Sequence, residues 1–368
     1  MNIKKKIDTI ADDALLEVGE IQLTNKNIKY PTKTISKSKI TLEEVEKMVK
    51  TGARINEIYK RIEKKTNLEN EAEKISDKIR REIQHNLLNI VFIDWVKERL
   101  PTESEIELLT AIQYFPSDFI IPPLMNKNFP RIKNSNIESF IEVINKYYEI
   151  AERLNNKVKM GYMLIDSSQK ATNTIIDFFC KKEVCGIIVD FNGKDPLNKY
   201  MQIGLLRHKL YELYTDEIPL VLYAINVNQG HEKINNEIKR ASDIFLYEMG
   251  FNIIGDKHKQ RPMPEEVIKK YKATKRNLGW IFNNTDYGYY KTELQREKEK
   301  YLENWKNFLI EGQILMKVVK EEKNITHYLK GKKYAKEETI NEINKMNEKI
   351  KQVKKELKQN PKIDKYLS

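Results

Sequence analysis

Four polar side chains close four apolar runs: Asp166 in GYMLIDSSQ, Asp190 in CGIIVDFNG, Asn226 in LVLYAINVNQG and Asp256 in GFNIIGDKH. Carboxylates gathered at one place can work as general base and nucleophile, or can hold a divalent cation. His231 follows NVNQG and His258 follows IIGDK, but neither belongs to an H-x-H or H-E-x-x-H pattern, so no metal centre and no cofactor are expected. Asp and Asn also favour turns and helix N-caps, and Asp166-Ser167-Ser168 stands directly before a helical stretch. The chemical and the capping readings both stand for each acid. The single glycine of DFNGK, residues 190–194, makes an ordinary turn and no phosphate loop.

These residues need a scaffold that brings them to one edge. Between Phe115 and Lys259 the chain alternates apolar, β-branched runs (DFIIPPL, GYMLID, GIIVD, LVLYAIN, NIIGD) with helical stretches. Strands without polar alternation are buried on both faces, and long helical crossovers imply parallel pairing. Ile165, Ile188, Val189, Leu222 and Ile253 are therefore expected in the core. An α/β, barrel-like core is predicted over 115–260, and GEIQL, NIVFI and GWIF are reserve strands. In such sheets ligands bind beyond the carboxyl ends of the strands, where the four polar residues lie. Residues 1–40 read as a strand and loop. The periodicity of TLEEVEKMVKTGARINEIYKRIEKK and of ENEAEKISDKIRREIQHNLLNIVFIDWVKERL predicts a helical insert over 41–114, and EKINNEIKRASDIFLYEM, residues 232–249, also reads as helix. Residues 261–368 read as a basic and aromatic loop followed by a helical extension. The loop interleaves Lys272, Lys275 and Arg276 with Trp280, Phe282, Tyr287, Tyr289 and Tyr290, which suits either single-stranded nucleic acid or pinning to the core. In the extension Ile340, Ile343, Met346, Ile350, Val353 and Leu357 form a seam that can dock on the chain's own core or on a second copy.

The net charge of +12 across 368 residues, one third of them charged, suits a polyanionic partner or a solvated Lys/Glu surface. Two cysteines, Cys180 and Cys185, make neither a disulfide framework nor a four-ligand zinc site, which fits a reducing cytoplasm. The opening MNIKKKIDTIADDALL has no uninterrupted apolar core, and no run approaches membrane-spanning length, so neither secretion nor a membrane partner is expected.

Three segments resemble the tRNA-guanine transglycosylase superfamily of TIM barrels. ALLEVGEIQLTNKNIKYPTK is similar to its opening strand and turn, LIDSSQ to its Asp-Ser-Gly-Gly-Phe-Gln motif, and RASDIFLYEMGFNIIGDKHKQRP to its nucleophile segment. The chain differs in having no glycines or phenylalanine in IDSSQ, Asn252 in place of an aspartate, and no cysteine-rich zinc site. The resemblance implies a TIM-barrel-like fold and guanine or deazaguanine exchange on nucleic acid, either tRNA or DNA. Asp166 would contact the base and Asp256 would attack the ribose carbon. Asp190, Asn226, Gln169 and His258 would line the substrate site, with Lys257 or Arg261 at the rim for phosphate. A competing reading needs no catalysis: residues 41–65 can be two helices broken near Gly52, with INEIYKRI as a DNA-recognition helix carrying Arg54, Lys60 and Arg61. A third reading is a scaffold assembled through the C-terminal helix.

Overall fold

The computed structural model describes residues 3–23, 26–154, 157–214, 217–230, 232–258 and 278–359. The chain opens with β1 (Ile3–Ile10), β2 (Glu17–Leu23) and β3 (Lys26–Tyr30), which form an antiparallel sheet. Strands and helices then alternate: β4 (Thr32–Lys33), α1 (Leu42–Thr51), β5 (Ile55–Ile62), α2 (Leu68–Arg80), β6 (Leu88–Trp95), α3 (Glu103–Tyr114), α4 (Ile137–Arg153), β7 (Met160–Leu164), α5 (Gln169–Lys181), β8 (Gly186–Asp190), α6 (Tyr200–Leu213) and β9 (Val221–Ile225). After these come β10 (Ile238–Arg240), β11 (Ile253–Ile254), the hairpin β12 (Leu278–Asn283) and β13 (Gly288–Glu293), and helices α7 (Glu297–Glu322), α8 (Thr326–Lys330) and α9 (Glu337–Gln359).

The centre is a five-stranded parallel sheet in the order β4-β11-β9-β8-β7. Every residue of β7, β8, β9 and β11 is buried, as expected for strands covered on both faces. Ile165, Ile188, Val189, Leu222 and Ile253 all lie in the core. A second parallel pair, β5 and β6, is tied to this sheet by isolated parallel bridges. Ile35 pairs with Asn56 beyond β4, Asp94 with Leu124, and Ile120 with Lys159.

Three expectations are corrected. Residues 41–114 are not all helical, because β5 and β6 run through them. Helix α1 starts on a Thr41–Glu44 capping box and stops at Gly52, whose φ of +134° a side chain would resist. The isoleucines at 55, 58 and 62 fit helical spacing, yet they are β-branched, and the backbone bonds Ile35 N to Ile55 O (2.9 Å) and Glu57 N to Ile35 O (2.7 Å) hold them extended. All eight residues of β6 are buried. The proposed recognition helix is thus strand β5, and its basic residues are engaged: Lys60 pairs with Glu82, and Arg54 donates to the Val49 and Ala53 carbonyls. In the third correction, the helix expected over 232–249 is β10 followed by a 3-10 turn, Asp243–Leu246. There the Asn235 side chain accepts from Glu237 N and Ile238 N, a local bond that competes with helix.

Helix α7 packs along β12 and β4, and α9 packs on α6. Ile340, Ile343, Met346 and Ile350 are buried within the chain, so the C-terminal seam docks on its own core. Among the described residues no helix is long and apolar enough to cross a membrane. Ile343→Ala should destabilise the protein by about 2–4 kcal/mol in urea unfolding, as expected for a truncated core side chain. A change below about 0.5 kcal/mol would place that residue on a free surface.

Candidate functional site

The parallel strands deliver several polar side chains to one end. Asp190, the last residue of β8, is wholly buried; its carboxylate accepts from Asn126 Nδ2 (2.8 Å), Asn226 Nδ2 (3.0 Å) and the backbone N of Asn192 (2.7 Å). Asn226 follows β9 with a φ of +55°, which Asn tolerates better than most residues, and its Oδ1 accepts from His258 N at 2.9 Å. The His258 ring stacks on Tyr59, with centroids 4.8 Å apart and planes 3° from parallel. Its Nε2 lies 2.6 Å from Glu57 Oε2. Glu57 is fully buried and also accepts from Thr34 Oγ1 (2.7 Å), the Tyr223 hydroxyl and Asp256 N (2.9 Å). Burial pushes the Glu57 carboxyl up, but the charge and hydrogen bond of His258 outweigh it and hold the group below its ordinary range.

Beside this network lies a cavity of 570 Å³, large enough for a nucleoside-sized ligand. It sits beyond the ends of β4, β9 and β11, and α7 forms its opposite wall. Five lysines (Lys33, Lys39, Lys257, Lys298, Lys300) and two aspartates (Asp243, Asp256) line it with Tyr289, Tyr301, Trp305 and Phe308. Lys39 Nζ forms an ion pair with Asp256 Oδ2 at 3.0 Å. Burial pushes the Asp256 carboxyl up, yet Lys39, Lys33 and His258 together bring it below its usual value, so it is ionised at neutral pH. Burial lowers the Lys33 ammonium against the pull of Asp256 and Glu57.

Asp243 is the opposite case. Burial pushes it up to about 6, although its Oδ2 accepts from the Tyr289 hydroxyl at 2.8 Å and Lys239 lies nearby. Lys239 is itself brought down to about 8 by burial and stands over the rings of Trp280 (5.2 Å) and Tyr289 (4.8 Å). The cavity therefore holds one acid that is ionised throughout the neutral range and one that titrates just below it.

Of the residues singled out from sequence, Asp256 lines the cavity, while Asp190, Asn226 and His258 belong to the adjoining network. Asp166 does not line the cavity. It pairs with Lys199 and lies 3.8 Å from Lys194, and Ser168, not Asp166, caps α5 by accepting from Ala171 N. Gln169 is exposed on the first turn of α5. Strands β7 and β11 are three positions apart in the sheet, about 14 Å along its arc, which separates Asp166 from Asp256. Arg261, His231, Lys272, Lys275 and Arg276 lie outside the described residues. In the aromatic stretch Phe282, Tyr287 and Tyr289 are buried, pinning the hairpin to the core, and Tyr289 reaches the cavity. Sequence reasoning missed Glu57 and Asp243, whose signal was a carboxylate beside bulky apolar residues in INEIY and SDIF, and Trp305, whose signal was an aromatic ring among polar residues in ENWKNF. Among the described residues no three His, Cys, Asp or Glu side chains converge as a metal site. The chain matches no family model and no curated protein sequence.

The raised pKa of Asp243 makes folding favour its neutral form. Its contribution is present below the unfolded value of 3.8 and is lost as pH rises through about 6. Asp243→Asn removes that loss, so its stability relative to wild type should improve between pH 4 and pH 7 by roughly 2–3 kcal/mol. Chemical denaturation of both proteins at the two pH values measures this, and a constant difference would show that Asp243 ionises normally.

Proposed function

We propose that the protein is a transglycosylase-like enzyme acting on nucleic acid, built on a closed (β/α)8 barrel with its site at the barrel mouth. Closure is supported by the bridges at Ile35, Asp94 and Ile120, which give parallel neighbours to segments lying between the five-stranded sheet and the β5–β6 pair. Counted with the segment 120–124, eight parallel segments then follow one another around the core.

The observation that carries the functional reading is Asp256, an ionised carboxylate in a lysine-rich, aromatic-walled cavity beyond the strand ends. The lysines suit phosphates and the rings suit a planar base. In this setting Asp256 acts as the nucleophile: its oxygen bonds to the ribose carbon as the bond from that carbon to the base nitrogen breaks. Lys39 orients the carboxylate and Lys33 adds positive charge, while the Glu57–His258–Asn226–Asp190 chain fixes the loop that carries it.

Labelled guanine exchange into tRNA and into DNA tests the reaction and separates the two substrates. Asp256→Asn is nearly isosteric, so it should stay folded and lose more than about 100-fold of the exchange rate. Absence of exchange by the wild type on both nucleic acids would end the transglycosylase reading. Binding itself should weaken with salt, with a log-log slope of roughly −0.7 to −0.9 per phosphate contacted. Lys300→Ala should reduce that slope by about one contact.

A further inference from the structure

Two glutamates stand in apolar runs, Glu248 in FLYEMG and Glu311 in FLIEGQ. Both are fully buried, and a single hydroxyl stands between them: the Tyr287 oxygen lies 2.7 Å from Glu311 Oε1 and 3.3 Å from Glu248 Oε1. That hydroxyl has one proton to donate. It goes to the nearer carboxylate, Glu311, and Tyr287 then meets Glu248 lone pair against lone pair unless Glu248 carries a proton of its own. We infer that Glu248 and Glu311 share one proton across Tyr287 at neutral pH, that it resides on Glu248, and that it locks α7, a wall of the cavity, to the core. The lock is independent of the reaction proposed for the site.

The surroundings decide which acid holds the proton. Besides Tyr287, Glu311 Oε1 accepts from the Tyr328 hydroxyl at 2.6 Å, and its Oε2 lies 3.7 Å from Lys332 Nζ. Glu248 has Tyr287 alone: its Oε2 meets no donor, and no cation pairs with it among the described residues. A buried carboxylate without a counter-charge takes up a proton rather than staying ionised. The groups facing Glu248 are Tyr287 from the turn between β12 and β13, Glu311 from α7, Tyr328 from α8, Lys332 beyond α8, and Tyr247 beside it in the chain. Lys332 is the only cation among them, and it also serves Glu311 and the Asn284 carbonyl (2.6 Å). Burial pushes the Glu248 carboxyl up to about 8, and the charge of Glu311 adds to the effect. Burial raises Glu311 as well, against the pull of Lys332, Tyr328 and Tyr287, so the pair resists double ionisation.

The place of the lock gives it a consequence for the cavity. Glu248 follows the 3-10 turn Asp243–Leu246, Tyr287 stands just before β13, and Glu311 lies one turn beyond Phe308 on α7. Asp243, Tyr289 and Phe308 all line the cavity, so the shared proton joins three segments that supply its walls. Without the proton two carboxylates face each other across one hydroxyl, and moving α7 away relieves their repulsion. With α7 opened, Glu248 meets water and returns to its ordinary value of 4.5. The closed form therefore holds one proton more between 4.5 and about 8; its advantage is full below that range and is lost as pH rises through it. One proton corresponds to an opening constant that rises about tenfold per pH unit.

Amide hydrogen exchange, corrected for the intrinsic effect of pH, reads that constant for α7 and for β8. The window starts above about 6, where Asp243 titrates, and runs past the Glu248 value of about 8. In wild type the α7 constant should rise about tenfold per pH unit and level off above about pH 8. It should also exceed the β8 constant throughout, because α7 opens while the sheet stays folded. Glu248→Gln is neutral at every pH and its amide can donate to Tyr287, so the rise should vanish. A flat wild-type profile, or a rise kept by Glu248→Gln, overturns the shared proton. Equal constants for α7 and β8 mean that the proton holds the whole fold, which overturns the wall lock. Should Glu248→Gln fail to fold, carbon-13 NMR of wild type labelled at its glutamate carboxyls decides the protonation. One carboxyl should titrate near pH 8, and a spectrum in which every glutamate is ionised at neutral pH overturns the inference.

Discussion

The arrangement at the strand ends depends on one buried carboxylate. Glu57 accepts hydrogen bonds from Thr34 beyond β4, from Tyr223 on β9, and from the backbone N of Asp256 and the ring of His258 beyond β11. A single side chain on β5 therefore fixes three other segments and sets where Asp256 stands. An ionised carboxylate at this depth is tolerable only because every one of those groups is directed at it. Gly255 belongs to the same constraint. A Cβ there would come within 2.5 Å of Glu57 Oε1 and 2.7 Å of the Tyr223 ring, so any larger residue would push the carboxylate and the Asp256 loop apart.

A second buried acid, at the opposite end of the strands, behaves differently. Glu17 on β2 meets Arg207 of α6 at 3.0 Å and pairs with Lys5 of β1, while Asn252 Nδ2 lies 3.3 Å away. Burial pushes the Glu17 carboxyl up, but Lys5 and Arg207 bring it down to about 2. Lys5 and Arg207 also bond backbone carbonyls at Ile218, Leu220 and Gly250, just before β9 and β11. That end uses its charges to fasten the antiparallel sheet to the core. At the carboxyl end, by contrast, five lysines and two aspartates line an open cavity.

Legibility in the sequence followed the strength of the local signal. GIIVD and LVLYAIN are short, β-branched and flanked by turn residues, and both are strands at the expected places. INEIYKRI carried two signals at once, since isoleucines three and four apart fit a helix as well as a strand, and pairing with residue 35 and with β6 decided between them. Because Glu57 sits in that ambiguous stretch, its role was hidden with it. Asp256 was legible as a polar residue ending an apolar strand. Asp166 gave the same signal and ended in an ion pair with Lys199, because a terminal acid marks the edge of a sheet without saying which part of the rim it faces. Asp243 and Trp305 come from a 3-10 turn and from a helix some sixty residues further on, and only the folded chain brings them to one cavity.

Two lysines of the cavity, Lys33 and Lys39, repel each other. Burial lowers the ammonium of Lys33, so holding it charged beside Lys39 works against the fold. Asp256 and Glu57 offset part of this, but Asp256 is shared among Lys39, Lys33 and His258. Under the proposed function, an anion entering the cavity would relieve the repulsion between Lys33 and Lys39. Since only the folded chain assembles these groups, occupancy must also raise stability, in proportion to the logarithm of ligand concentration over its dissociation constant. Occupancy and stability would then be two measures of the same repulsion between Lys33 and Lys39.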